Sequence, residues 1–400
     1  MRHSTLILTT ALAVAALAAG PAQAEDVKLG ILGDITGPIE SLAPPIVAGA
    51  QLAFAHVNAQ GGLLGGSIIA IVGDSACDPS VAGPAADKLV NTDQVTAIVG
   101  AFCTGATIGA ANAAGIPGNV VMITPSASAP PITGLADNDL VYRTTPPDTL
   151  QGVKLADLVI QKGITDVAVA YVNNDYGKGL ADVFKAQFEA NGGTVSAFVA
   201  HEDGKADYRA ELGQLASSGT QNLVIIAYAS GSGRTILQQA LEAGDFTVFI
   251  GGDGMIGDDL LNGLDQAAVE GLFATRAGAY AGESADIYKQ LAVEGGLDAT
   301  ATYAPQAYDA AFLLALAVQK NGSASREGLS AALREVASAP GERILPGEWS
   351  KALALIAAGT DIDYEGAGGP QDFDEFGDVP GVIVEVVVQG GAFVEVGPVQ

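Results

Sequence analysis

Histidine, basic residues and aromatic side chains are all scarce in this sequence. Its 400 residues include three histidines and 6% aromatic residues, and 18 lysines and arginines are set against 45 aspartates and glutamates. The net charge of −27 excludes nucleic acid as a partner, because two polyanions repel each other. His3 falls in the N-terminal leader described below. The pattern places His56 in a helix and His201 in a loop, which does not suit a histidine-based metal site.

The familiar catalytic and nucleotide-binding motifs are missing as well. The sequence has no G-x-S-x-G, H-E-x-x-H or S-x-x-K pattern and no Walker glycine loop. Gly231–Ile236 begins like a dinucleotide-binding turn but ends in Ile where glycine belongs. Asp372–Gly377 begins like a calcium loop, but Phe376 takes the third ligand position and Ile383 replaces the bidentate glutamate, so we expect a turn. We expect neither enzyme activity nor a metal or cofactor.

Long apolar runs are absent except at the N-terminus. The run Leu6–Ala19 follows Arg2 and His3, which give the N-terminus a positive charge, and precedes the A-x-A triplet Ala22–Ala24. This pattern predicts a signal peptide over residues 1–24, removed after Ala24, and export to the periplasm. The alternative, a membrane anchor, is disfavoured because the run is shorter than the ~20 residues that span a bilayer.

The chain has only two cysteines, Cys77 and Cys103. In an exported protein, an even number of cysteines favours a disulfide, because the compartment is oxidising. The alternative is two separate buried thiols.

Short apolar segments alternate with helical ones over most of the chain. The predicted strands are Val27–Gly33, Ser67–Val72, Val95–Ala101, Val120–Thr124, Val167–Val172, Thr194–Ala200, Leu223–Tyr228 and Thr247–Gly251. The predicted helices are Val47–Asn58, Ala82–Asn91, Gly179–Asn191, Tyr208–Ser217 and Gly233–Ala243. This alternation predicts parallel βαβ units in an α/β protein with two doubly wound lobes. The proline-containing stretch Tyr142–Asp148 is a predicted linker between them.

The pattern changes after Arg276. The predicted helices are Ala304–Gln319, Leu329–Val336 and Trp349–Ala358, and the acidic stretch Asp361–Asp378 is predicted to be a loop. Val382–Val388 and Ala392–Val396, joined by Gln389–Gly391, form a predicted β-hairpin.

Small polar residues follow several predicted strands. The stretch IVGAFCTGATIGAANAAG (98–115) reads as a strand, a tight turn with Thr104, and a helix N-terminus whose free N–H groups suit an anion. Ser126 and Ser128 follow another strand, and Asp253 follows a strand of the second half. In open parallel sheets, ligands lie at the carboxyl ends of the strands. Hydroxyls on one side and a carboxylate on the other suit the two charged ends of an α-amino acid. Each residue also has a structural interpretation: the hydroxyls and Asp253 as helix caps or turn residues, and Tyr176 and Tyr228 as core aromatics.

Eight stretches in order resemble a known family. They are VKLGILGDITGP, AHVNAQGGLLGG, GDSACDP, IVGAFCTGAT, MITPSASAPPIT, YRTTPPDTLQG, NNDYGKGLA and AYDAA. Together they resemble the periplasmic binding proteins of the leucine/isoleucine/valine type, which supply ABC importers. The resemblance implies two Rossmann-like, doubly wound lobes joined by three crossovers, the type I periplasmic binding protein fold. One lobe would comprise residues 25–147 plus 277–380 and the other residues 148–276 plus 381–400.

The resemblance also implies a binding site in the cleft between the lobes. It pairs Cys77 with Cys103 in a disulfide and assigns Asp253 to the ligand ammonium. Thr104, with the N–H of Ser126 and the hydroxyl of Ser128, would bind the carboxylate. The remaining implied ligand contacts are Phe102, Cys103, Ala127, Tyr176, Tyr228 and Tyr303. The implied partners are a small aliphatic amino acid and an inner-membrane ABC permease, and the implied state is a monomer.

Three departures from the family pattern affect ligand choice. Ala229 takes the place of a pocket tyrosine, with Tyr228 one position before it, Leu42 replaces an aromatic residue, and Asp253 replaces a glutamate. An aromatic acid, an amide or a urea-like ligand is therefore an alternative, and a ligand sensor is a second one. An additional segment at Gly347–Gly368 is expected to decorate a lobe or to contact a partner.

Overall fold

The structure, a computed structural model, describes residues 25–400 apart from the side chain of Asp258. The predicted signal peptide, residues 1–24, lies outside the described residues.

Two separate sheets organise the described chain. The first contains five parallel strands in the order β2-β1-β3-β4-β5: β1 (Val27–Gly33), β2 (Ile68–Asp74), β3 (Ala97–Gly100), β4 (Val121–Thr124) and β5 (Val141–Arg143). The second contains five further parallel strands: β6 (Asp166–Val172), β7 (Thr194–His201), β8 (Asn222–Ile226), β9 (Val248–Gly251) and β10 (Phe273–Ala277). Strands β3 and β4 are buried on both faces, as expected for strands covered by helices.

Four later strands complete the β-structure. A separate parallel pair joins β11 (Glu342–Ile344) to β12 (Ile362–Tyr364). The predicted C-terminal hairpin is confirmed, with strands β13 (Ile383–Gln389) and β14 (Ala392–Pro398). Strand β13 pairs antiparallel to β10, so the second sheet has the order β14-β13-β10-β9-β8-β6-β7.

Helices cover both sheets. They are α1 (Ala43–Ala59), α2 (Pro79–Asp87), α3 (Thr104–Ala110), α4 (Pro130–Thr133), α5 (Asp148–Gln161), α6 (Asp175–Ala190), α7 (Arg209–Ala216), α8 (Ser232–Ala243), α9 (Asp258–Leu261), α10 (Gln266–Val269), α11 (Glu283–Glu294), α12 (Ala304–Asn321), α13 (Leu329–Ala337) and α14 (Trp349–Ala357). Lys88–Thr92 and Ala111–Gly115 extend α2 and α3 with a π-helical turn each. None of the helices in residues 25–400 is long and apolar enough to cross a membrane.

The chain passes between the two sheet layers three times, as the predicted fold requires. It leaves the first sheet after β5, returns after β10 to form α11 to α14, and goes back to add β13. Helix α12 is nearly all buried and packs tightly against α1. A Cβ at Gly49 of α1 would lie 2.4 Å from the carbonyl oxygen of Ala304, so the small residue permits this close approach.

The sequence misplaced or missed several elements. The predicted linker Tyr142–Asp148 begins within β5 and ends at the first residue of α5, so only residues 144–147 are irregular. The predicted loop Asp361–Asp378 contains β12, and His201 ends β7 instead of lying in a loop. Strand β12 has only three residues, too few for a pattern of residue types to reveal it, whereas β7 was predicted and extends one residue beyond the predicted end.

The additional segment Gly347–Gly368 packs onto α12 and onto the turn that follows α1. Trp349 is fully buried, and its Nε1–H donates to the carbonyl oxygen of Gly62 at 3.0 Å. The carboxylate of Asp309 on α12 accepts hydrogen bonds from the N–H groups of Ala367 and Gly368 at 2.7 and 2.8 Å. The segment is therefore anchored in the core on the side of the first sheet.

Candidate ligand-binding site

The turn after β3 is held by a disulfide and by a buried carboxylate. The predicted Cys77–Cys103 bond is present, with a Cα–Cα distance of 5.3 Å. Asp34, which follows β1, accepts hydrogen bonds from the N–H groups of Phe102 at 2.8 Å, Cys103 at 2.9 Å and Cys77 at 2.7 Å. Burial raises the pKa of Asp34, and these hydrogen bonds oppose the rise. Asp34 thus fixes both ends of the disulfide.

These contacts change which N–H groups are available to an anion. Those of Phe102 and Cys103 are already occupied by Asp34. The first N–H groups of α3, beginning at Thr104, have no acceptor within the helix. The positive end of α3 therefore meets the cavity at Thr104, a buried residue.

The turn after β4 is hydrogen-bonded to the turn after β3. The Thr124 hydroxyl donates to the carbonyl oxygen of Ala101 at 2.5 Å and accepts from the N–H of Ala127 at 3.0 Å. The Ser126 hydroxyl donates to the carbonyl oxygen of Phe102 at 2.9 Å. The Ser128 hydroxyl is buried and has no hydrogen-bond partner among the described residues. The two turns thus form one rigid wall at the carboxyl ends of β3 and β4.

Asp253 lies on the opposite wall, just after β9. Its Oδ1 accepts from Gln151 Nε2 at 2.8 Å and from the Tyr176 hydroxyl at 2.9 Å, and its Oδ2 accepts from the Tyr303 hydroxyl at 2.6 Å. Burial raises the pKa of Asp253, while the bonds from Tyr303, Tyr176 and Gln151 oppose the rise. The resemblance implied that Tyr176 and Tyr303 contact the ligand; both line the cavity, and their hydroxyl groups also orient this carboxyl group.

Apolar and aromatic side chains line the space between these walls. Tyr176 and Tyr228 stack with ring centroids 5.2 Å apart and an interplanar angle of 23°. The other apolar side chains of the lining are those of Ile39, Leu42 and Ile46. Ile39 and Leu42 precede α1, and Ile46 lies within it. Their spacing is also typical of the buried face of a helix, so the sequence does not distinguish them from core residues.

A cavity of about 30 Å³ joins most of the predicted site residues. Its lining includes Phe102, Cys103, Thr104, Ser126, Tyr176, Tyr228, Asp253 and Tyr303. Ala127 and Ser128 are not in the lining; they are buried behind it. At the edge of the cavity, the Ser41 and Ser230 hydroxyl oxygens lie 2.7 Å apart, and the Ser230 N–H donates to the Pro38 carbonyl oxygen at 3.2 Å. Residues that neighbour the two walls are therefore in direct contact.

The metal alternatives receive no support from the geometry. In the part of the chain that is described, the one group of three close metal-ligand types is Asp34, Cys77 and Cys103, and both sulfurs are used in the disulfide. The stretch Asp372–Gly377 forms the predicted turn, in which Asp374 accepts from the N–H groups of Phe376 and Asp378 at 2.8 and 3.0 Å.

Known proteins share both the sequence pattern and the fold. A family model described as periplasmic binding protein matches residues 26–352. The leucine-, isoleucine-, valine-, threonine- and alanine-binding protein of Pseudomonas aeruginosa is 31% identical over 334 residues, which cover 82% of this chain and 87% of that protein.

Two solved structures show the same architecture. A leucine-binding protein from Thermotoga maritima has a TM-score of 0.78 and 24% identity, covering 94% of this chain and 99% of its own. A solute-binding protein of an ABC transporter from R. palustris, in complex with benzoate, has a TM-score of 0.73 and 19% identity, covering 94% of this chain and 97% of its own. The predicted type I fold is thereby confirmed. This chain belongs to the periplasmic binding protein family, as shown by its matching sequence and in keeping with its two doubly wound sheets and the cavity between them.

Proposed function

We propose that this protein captures a small α-amino acid with an aliphatic side chain and delivers it to an ABC permease of the inner membrane. The observation that carries the proposal is the position of Asp253 across the cavity from Thr104 and the N-terminus of α3. A zwitterion needs two such partners, an anion for its ammonium and N–H or hydroxyl donors for its carboxylate.

The carboxylate of the ligand would lie against the disulfide-held wall. Thr104 and Ser126 line the cavity and contribute hydroxyl and N–H groups there. The Ser128 hydroxyl, which has no partner among the described residues, would become a third donor if the turn shifts slightly on binding. Because no cationic side chain among residues 25–400 lines the cavity, these neutral donors and the helix end would stabilise the negative charge of the ligand.

The side chain of the ligand would lie among Ile39, Leu42, Ile46 and Phe102, where a polar group would lose its hydration without a partner. An aliphatic side chain fits this lining best.

Capture would involve closure of two lobes, residues 25–147 plus 277–380 and residues 148–276 plus 381–400. The separate sheets and the three connections between them support these boundaries. We infer that the protein works in the periplasm as a monomer without catalysing a reaction. The R. palustris protein with the same fold is a solute-binding protein of an ABC transporter, which supports transport as the purpose of binding.

A second candidate ligand is an aromatic acid. The R. palustris protein with the same fold is in complex with benzoate. Asp253 is already bound by three donors, so a ligand without an ammonium would leave it paired. An amide or urea-like ligand, which also lacks an ammonium, would likewise leave Asp253 paired with its three donors.

A thermal-shift screen of ligand-free protein tests the proposal. The ligands are leucine, isoleucine, valine and alanine, with benzoate, urea and acetamide as the alternatives. A ligand present at 100 times its Kd stabilises the folded state by about 2.7 kcal/mol, an easily measured increase in Tm. We expect an increase with the aliphatic amino acids alone. An increase with benzoate or urea alone would reject the amino-acid ligand.

A further inference from the structure

Two serine hydroxyls meet between the proposed lobes, outside the cavity. Ser41 lies in the segment between β1 and α1, on the side of the first sheet, and Ser230 lies between β8 and α8, on the side of the second. Their hydroxyl oxygens are 2.7 Å apart, and the Ser230 N–H donates to the carbonyl oxygen of Pro38 at 3.2 Å. Neither serine is part of the cavity lining. The two lobes are therefore joined here by a contact that does not involve the ligand.

The hydrogen bonds of these hydroxyls form a chain with a defined direction. The Ser230 hydroxyl donates to Oδ2 of Asp259, on α9, at 2.8 Å. A serine hydroxyl has a single hydrogen, so Ser230 must accept from Ser41 in the bond between them. The chain runs from Ser41 through Ser230 to a carboxylate. Such a chain is stronger than an isolated bond between two hydroxyls, because the charged acceptor polarises both bonds.

Asp259 is held in position by residues of its own lobe. The Arg234 side chain on α8 donates from Nε to the Asp259 carbonyl oxygen at 2.9 Å. The Asn262 side chain donates to Oδ1 of Asp259 at 3.3 Å, which leaves Oδ2 for Ser230. The acceptor end of the chain therefore depends on one lobe only and is ready before Ser41 approaches, which lowers the cost of forming the contact.

Two glycines give the segment before α1 the room to approach. A Cβ on Gly231 would lie 2.8 Å from the Cβ of Pro38, and a Cβ on Gly257 would lie 2.9 Å from the Ser41 hydroxyl oxygen. The backbone of Gly257 is extended, with φ of −163°, a conformation open to any residue. Its small size is therefore what the contact between the lobes requires.

We propose that Ser41, Ser230 and Asp259 form a latch that closes once the ligand has entered the cavity and slows its release. The latch lies outside the lining, so it stabilises the closed form without selecting the side chain of the ligand. Because it forms after entry, it affects the rate of release and not the rate of association. This inference rests on the closure of the two lobes under the proposed function, but not on the chemical class of the ligand.

The rate of leucine release tests the latch. Protein loaded with radiolabelled leucine is mixed with an excess of unlabelled leucine, and the bound label is followed with time. We expect release from Ser41→Ala to be about three- to tenfold faster than from the wild type, the effect of one lost hydrogen bond, with an unchanged association rate. Ser217→Ala is the control: its hydroxyl donates to the Gln214 carbonyl oxygen within the second lobe, and its release should match the wild type.

A double variant tests whether the two hydroxyls act as one contact. We expect Ser41→Ala combined with Ser230→Ala to release leucine no faster than Ser230→Ala alone, because the single change already breaks the chain. A double variant whose release is accelerated by the product of the two single effects would overturn the latch. Equal release from Ser41→Ala and the wild type would overturn it as well.

The wild-type protein distinguishes failure of the latch from failure of the proposed function. Leucine binding with equal release from Ser41→Ala and the wild type overturns the latch alone. Binding of benzoate and not leucine overturns the amino-acid ligand, and the same release measurement with benzoate then decides the latch by the same criteria. A protein that binds none of the screened ligands overturns the proposed function, and this inference with it.

Discussion

The Tyr303 hydroxyl donates a 2.6 Å hydrogen bond to Oδ2 of Asp253, and this bond connects two different layers of the protein. Tyr303 precedes α12, which packs against strands of the first sheet, whereas Asp253 follows β9 of the second sheet. The same carboxyl group is therefore both the proposed ammonium ligand and a point of contact between the walls of the cavity.

Removing this hydroxyl should weaken ligand binding. Tyr303→Phe keeps the ring in the cavity wall but leaves Oδ2 of Asp253 without its donor. A hydrogen bond to a charged group is worth about 1.5–3 kcal/mol, so we expect an increase in the Kd for leucine of about tenfold or more. Titration calorimetry measures it, with the partly exposed Tyr280→Phe as control. An unchanged Kd would show that the contact does not contribute to binding.

The disulfide should stabilise the protein and also shape its site. It joins cysteines 26 residues apart, for which chain entropy predicts about 3 kcal/mol. We expect the Cys77→Ser, Cys103→Ser double variant to unfold at a lower guanidinium concentration and to bind leucine more weakly, because Asp34 alone must then hold the turn. If leucine affinity is the same with and without the bond, the disulfide is only a stabilising element.

The buried ion pair of Arg143 and Asp378 supports the turn behind the cavity. Arg143 Nη1 also donates to the carbonyl oxygen of Ser128 at 2.7 Å. We expect Asp378→Asn to lower the free energy of unfolding by about 3–5 kcal/mol, because it leaves a buried cation without its partner.

A double variant distinguishes the cost of leaving a buried charge unpaired from the cost of losing the packing of the two side chains. Arg143→Met with Asp378→Leu removes both charges, and we expect it to recover much of the stability lost in Asp378→Asn. Denaturant unfolding of the single and double variants gives the comparison. A double variant as unstable as the single one would mean that packing, and not the unpaired charge, sets the cost.

Asp309 should make the protein less stable as the pH rises. Burial raises its pKa to about 7, although the N–H groups of Gly368 and Ala367 and the Tyr364 hydroxyl oppose the rise. A raised folded-state pKa contributes stability that is complete below the unfolded-state value and is lost as the pH rises through about 7. Unfolding by denaturant at pH 5 and pH 8 should show a smaller decrease for Asp309→Asn than for the wild type. An equal decrease in both would exclude Asp309 as the source.

The α/β architecture and part of the cavity lining could be predicted from the sequence because both follow from local patterns. Short apolar strands followed by small polar residues indicate parallel sheets, and the residues at their carboxyl ends meet at one edge. Thr104, Ser126 and Asp253 were found in this way. The resemblance to a family added Tyr303, which no local pattern singles out.

The supporting residues could not be predicted from the sequence in the same way. Gln151 reaches Asp253 across 102 positions, and Asp34 reaches Cys103 across 69. Each is a single polar residue at an element's end or on a helix face, where exposed polar residues are also common. Asp148 looks like an ordinary helix-start aspartate until its burial is known.

The most direct test of the central claim is the affinity of Asp253→Asn for leucine, measured by titration calorimetry beside the wild type. We predict a loss of about 2–4 kcal/mol, an increase in Kd of about 30- to 900-fold, because the ammonium would lose its charged partner while the side chain keeps its shape. Equal affinity of the two proteins for leucine would contradict the account, since Asp253 could not then be the group that binds the ammonium.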